Sequence, residues 1–178
     1  MTILDLHLFG SPVLREAGPR VAVVDDEVRR FVEDLFETMY AAKGIGLAAN
    51  QVGVARRIAV IDAEGEKLVL INPQILDTAG RETGEEGCLS IPEVFADVTR
   101  PDHVVLEAID YHGQPYRRVL DGLSARAVQH EIDHIDGILF IDHLSLLKRK
   151  RLIGKWKKDH ADDPGYIRPL RQGSDVSS

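Results

Sequence analysis

Three short stretches hold the residues best suited to chemistry. QHEIDH at 129–134 contains an HExxH pattern, GCLS at 87–90 carries the only cysteine, and GIGLAANQVG spans 44–53. On an α-helix His130 and His134 stand at i and i+4, so both imidazoles leave one face and can grip one ion. Glu131 lies about 100° round the helix from His130, where it can reach water activated by such an ion without becoming a ligand. An isolated HExxH also arises by chance on a solvated charged helix. Here Ser124 is placed to cap the helix, Gly137 to end it, and Val128, Ile132 and Ile135 to anchor it.

A catalytic zinc-type centre has three protein ligands and one open position, so two histidines leave one ligand to find. His143 is one candidate, but it lacks the glycine turn of the longer metzincin pattern. Cys88 is the other. Most lone cysteines are small buried hydrophobes. EEGCLS, however, sets this one beside Gly87 in a glycine-flanked loop, where backbone can approach closely. Spacing favours Cys88 and leaves both open.

The elements that must position these groups read as an α+β fold, with mixed short β-sheets packed around a central HExxH helix and a C-terminal helix. Helical spacing of Val28, Phe31, Val32, Leu35, Phe36, Met39 and Tyr40 predicts a helix over 26–43, capped by Asp25 or Asp26 and ended by Gly44. Strands are expected at 57–62, at 67–73, and over 103–120 around a YHGQP turn. The HExxH helix should run from about Ser124 to Gly137, and a last helix from Ser145 to His160. Residues 1–163 are expected to form one catalytic domain and 164–178 a flexible tail rich in Gly, Pro, Ser and charge.

Composition sets outer bounds. At 178 residues the chain can bury a core. One cysteine excludes an internal disulfide, which fits a reducing cytoplasm. The start, MTILDLHLFG, has no basic segment of a secretory signal, and no apolar run approaches the roughly 18 residues of a membrane span. A net charge of −7 argues against whole-surface nucleic-acid binding. The average hides KRKRLIGKWKK at 148–158, with seven Lys or Arg and no acid. Leu146, Leu147, Leu152, Ile153 and Trp156 are expected to dock that helix, turning its basic residues outwards.

Together, GIGLAANQVG, EGCLS (86–90) and QHEIDH, in this order and at these separations, resemble the three signature motifs of peptide deformylase. SPVLR at 11–15 is similar to that family's N-terminal segment, and the resemblance covers roughly residues 3–160. It implies a metal-dependent hydrolase that removes the N-formyl group from the initiator methionine of nascent chains, releasing formate. It implies Cys88, His130 and His134 as ligands of one divalent ion, Fe2+ natively, though one thiolate and two imidazoles also suit Zn2+, Ni2+ or Co2+. Glu131 becomes the general acid/base, with Gln51 and the Leu89 amide as oxyanion donors. Without the resemblance Gln51 reads as a solvated loop residue. Ile45 and Gly46 become a backbone edge that pairs with the substrate, with Gly87 and Arg100 at its pocket.

Asn50 departs from the family pattern, which more often has Thr or a similar small residue there, and is expected to reshape the pocket wall. Asp133 is expected to orient the helix or a ligand from behind. A cytoplasmic monomer is expected, and the resemblance implies that it docks at the ribosomal exit tunnel through its basic C-terminal helix. Two rivals stand beside it. A small HExxH peptidase would take its third ligand downstream of His134. A catalytically silent peptide- or ribosome-binding homologue would have no need of Glu131.

Overall fold

The computed structural model describes residues 2–170. In chain order the strands are β1 (Leu6–His7), β2 (Gly46–Ala48), β3 (Ile58–Ala63), β4 (Glu66–Ala79), β5 (Glu82–Cys88), β6 (Ile91–Arg100), β7 (His103–Ile109), β8 (Pro115–Asp121) and β9 (Ile167–Arg168). The helices are α1 (Asp26–Ala41), α2 (Gly122–Ile135) and α3 (Leu146–Asp159), with short 3-10 turns at Pro12–Arg15, Ala49–Val52 and Phe140–His143. This is the expected α+β arrangement of short sheets and three helices.

An antiparallel sheet of order β2-β3-β4-β7-β8 forms the middle layer. Side chains alternate across a strand, and β3 shows what that means here. Ile58 and Val60 join Val28, Val32, Leu35 and Met39 of α1 on one face, while Ala59 and Ile61 join Ala125, Val128 and Ile135 of α2 on the other. The Ile58–Ile61 run is fully buried because both faces of its strand are covered. The β5–β6 hairpin packs on a third cluster, where Ile91, Val94 and Val98 meet Phe140, Ile141 and Trp156. Helix α2 supplies residues to both the sheet's core and the site beside the hairpin.

Several boundaries differ from expectation for local reasons. Asp25 caps α1 by accepting from the Val28 amide at 2.9 Å, but the left-handed residue that ends the helix is Lys43, at φ 58°. Gly44 instead gives room to Leu89, whose Cδ1 would lie 2.6 Å from a Cβ there and have to shift. Ser124 lies inside α2, its hydroxyl donating back to the Asp121 carbonyl at 2.9 Å, and the N-cap position belongs to Asp121. Gly137, at φ 76°, does follow the helix end. Leu146 and Leu147 do not dock α3, being 67% and 81% exposed. Only Leu152, Ile153 and Trp156 of the expected stripe pack inwards. Within 164–178, β9 pairs antiparallel with β1, and the remainder of the expected tail from residue 171 to 178 lies outside the described residues.

Candidate metal centre

Helix α2 sets His130 and His134 on one side, and the end of β5 brings Cys88 to them. Cys88 is therefore a strand terminus rather than a loop residue. Its Sγ lies 3.2 Å from His134 Nε2, and His134 Nε2 lies 3.2 Å from His130 Nε2. The three donor atoms all fall within 4.8 Å of one another. One thiolate and two neutral imidazoles packed this closely turn three lone pairs to one point, which a single cation meets at once. The donor set therefore fits a divalent metal. His143 stays apart, with its Nε2 2.8 Å from Asp133 Oδ2.

The supporting shell favours the same reading. His130 Nδ1 sits 3.0 Å from Glu86 Oε1, so an Nδ1–H donating to the carboxylate leaves the Nε2 lone pair facing the cluster. Glu86 is itself held by Arg100, through Nε at 2.6 Å and Nη2 at 2.9 Å, and by Arg126 Nη1 at 2.7 Å. Burial opposes its charge, but Arg100 and His130 hold its carboxyl well below the usual carboxylate range. Arg100 also reaches Asp133 at 2.9 Å. Burial resists charge on both imidazoles as well. Contacts with Cys88 and Glu86 hold His130 well above its ordinary range, while His134, beside that charge, falls well below.

Glu131 sits next to this cluster with Oε2 buried and unpartnered among the described residues. Burial pushes its carboxyl up to about 7, against the pull of His130 and Arg100. Gln51 is fixed from both ends. Its Oε1 accepts from the Ala48 amide at 3.0 Å, while its Nε2 lies 3.1 Å from Ser90 Oγ and 3.6 Å from Cys88 Sγ. A cavity of about 560 Å³ opens onto these groups, lined by Ile45, Gly46, Gln51, Gly87, Leu89 and Glu131 among others. Gly46 leaves the Glu131 carboxyl its place, since a Cβ would come within 2.6 Å of Oε1 and push it aside.

Two expectations need correction. Arg100 does not line the cavity. It is 5% exposed and committed to Glu86 and Asp133, a support behind His130 rather than a substrate contact. Asn50 does not form the pocket wall either. Its Nδ2 donates to the His134 carbonyl, tying the turn that carries Gln51 to α2.

The family model for polypeptide deformylase matches residues 3–150. A peptide deformylase of Alkalilimnicola ehrlichii is 53% identical over 162 residues, covering 89% of this chain and 91% of its own. This chain belongs to the polypeptide deformylase family. One from Chromohalobacter salexigens is 48% identical over 90% of this chain and 95% of its own. A crystal structure of the Ehrlichia chaffeensis peptide deformylase in complex with actinonin superposes with a TM-score of 0.85 at 38% identity, covering 89% of this chain and 98% of that one. The chain is thus an enzyme of the deformylase kind, metal-dependent, that removes the N-formyl group from nascent peptides.

Within the deformylase frame, sequence reasoning missed Glu86, Arg126 and Ser90. Glu86 stood in plain view inside EGCLS, but no spacing rule pairs a strand carboxylate with a helix histidine 44 positions on. Arg126, one turn before His130 on α2, was legible only as a helix-surface cation.

Proposed function

We propose that Cys88 Sγ, His130 Nε2 and His134 Nε2 hold one divalent ion, Fe2+ natively, with Zn2+, Ni2+ and Co2+ able to take the same donors. When bound, the ion would supply Lewis acidity, bringing the pKa of water down towards about 7. Glu131 takes the proton of the attacking water on its unpartnered Oε2 and delivers it to the departing amine as the formyl C–N bond breaks. Gln51 Nε2 and the Leu89 amide donate to the formyl oxygen as its charge grows. Ile45, Gly46 and Gly87 offer backbone to the peptide, so main-chain pairing holds many sequences in one register.

The observation that carries this reading is the convergence of three soft and borderline donors beside a buried, unpartnered carboxyl in one cavity. Formate release from formyl-Met-Ala-Ser should be lost with chelator and restored by Fe2+. Undiminished release after complete metal removal would sink it. The reading includes work in the cytoplasm, as a monomer, on chains leaving the ribosome. Among the described residues no helix is long and apolar enough to cross a membrane. The basic outer face of α3 is the surface we assign to the ribosome.

A further inference from the structure

The family match ends at residue 150, yet the chain beyond it builds part of the cavity wall. After α3, β9 returns to pair with β1, Leu6 opposite Arg168 and His7 opposite Ile167. The Leu8 amide donates to the Tyr166 carbonyl at 2.6 Å, extending the seam. Strand β1 in turn contacts the 3-10 turn that carries Gln51. Leu170 packs against the core cluster of Leu6 and Met39, which fixes the end of the segment. The result is that Arg168 and Leu170 both face the substrate cavity.

Arg168 is half-buried and makes no side-chain ion pair among the described residues. The other cations on the cavity are placed differently. Arg126 is bound to Glu86 at 2.7 Å, and Lys43 is exposed. The lining carboxylates Glu85 and Glu93 are exposed as well, where water and salt screen them more than a half-buried guanidinium. A peptide held extended along Ile45 and Gly46 presents alternate side chains to the same wall.

We propose that Arg168, on the β9 wall, is a specificity-determining residue that recognises an acidic side chain of the peptide beyond its formylmethionine. This rests on the deformylase reading above and adds a preference to it. The test measures kcat/KM at low salt for formyl-Met-Ala-Ser and for peptides with Glu or Lys in its second or third position. At one position the wild type should favour Glu over Lys by about two- to five-fold, the range of a rim charge pair, with the difference in KM. The gap should shrink at high salt. Arg168→Gln should level the Glu-to-Lys ratio and Arg168→Glu invert it, and the ratio cancels any general loss of activity or folding. Wild-type failure on formyl-Met-Ala-Ser with metal bound would remove the deformylase reading itself. Normal hydrolysis with a Glu-to-Lys ratio near one, or a ratio unmoved in both variants, would overturn the role of Arg168 alone.

Discussion

Glu131 and Gly46 act as a pair, because the absence of a side chain at Gly46 leaves room for the carboxyl beside the Cys88, His130 and His134 donors. The space a Cβ of residue 46 would fill is taken by the Glu131 carboxyl, 2.6 Å away. Glu131→Gln should keep stoichiometric metal, because Cys88, His130 and His134 are untouched, yet lose about 100-fold or more in kcat, because an amide cannot accept the proton. Metal analysis beside steady-state rates checks both halves, and near-normal turnover would assign proton transfer to another group. Gly46→Ala should also keep the metal while pushing the carboxyl aside, with a kcat loss of up to about 100-fold. A wild-type rate in that variant would show that the position of Glu131 is slack. The sequence made Glu131 and both histidines legible because helical geometry alone relates them. It could not make Asn50 legible, because its bond to the His134 carbonyl joins residues 84 apart.

Among the elements, α1, α2 and β7 were readable from apolar residues at their own period and β3 from its short continuous apolar run, whereas β5 was not. Its sequence ETGEEGC has no alternating hydrophobics, and only Glu86 in it is buried. What makes it a strand is pairing with β6 and the polar network under Glu86. That network is also where the hairpin is joined to α2, through Arg100 to Asp133, Arg126 to Glu86 and Glu86 to His130. Arg100→Met should therefore be costly although Arg100 does not line the cavity. It leaves Glu86 and Asp133 short of a buried cation, and breaking such a pair costs about 3–5 kcal/mol. Denaturant unfolding of the variant, run with metal saturating, measures the loss. A change below about 1 kcal/mol would mean that Arg126 alone suffices for Glu86.

Across the whole molecule, charge is segregated. The chain carries a net −7, yet α3 holds a run of basic residues whose outward members, Lys150, Arg151, Lys155 and Lys158, are exposed. Arg149 is occupied at home by Asp142 at 3.2 Å, and Trp156 fixes the helix by donating to the Pro92 carbonyl at 3.1 Å. Beside the basic face, Leu146 and Leu147 stand exposed at the helix start, so an apolar pair accompanies the cations. Most charge runs are merely solvated faces. Here the substrate emerges at a surface of RNA phosphate, and a protein that neutralises several phosphates binds with steep salt dependence. With four phosphates neutralised, ribosome affinity should fall roughly 100-fold between about 50 and 200 mM salt. Reversing Lys150, Arg151, Lys155 and Lys158 to Glu should abolish that binding, while formyl-tripeptide hydrolysis persists because none of the four lines the cavity. Co-sedimentation with ribosomes across a salt series measures the slope. Unchanged affinity in the reversed variant would return α3 to a plain solvated helix.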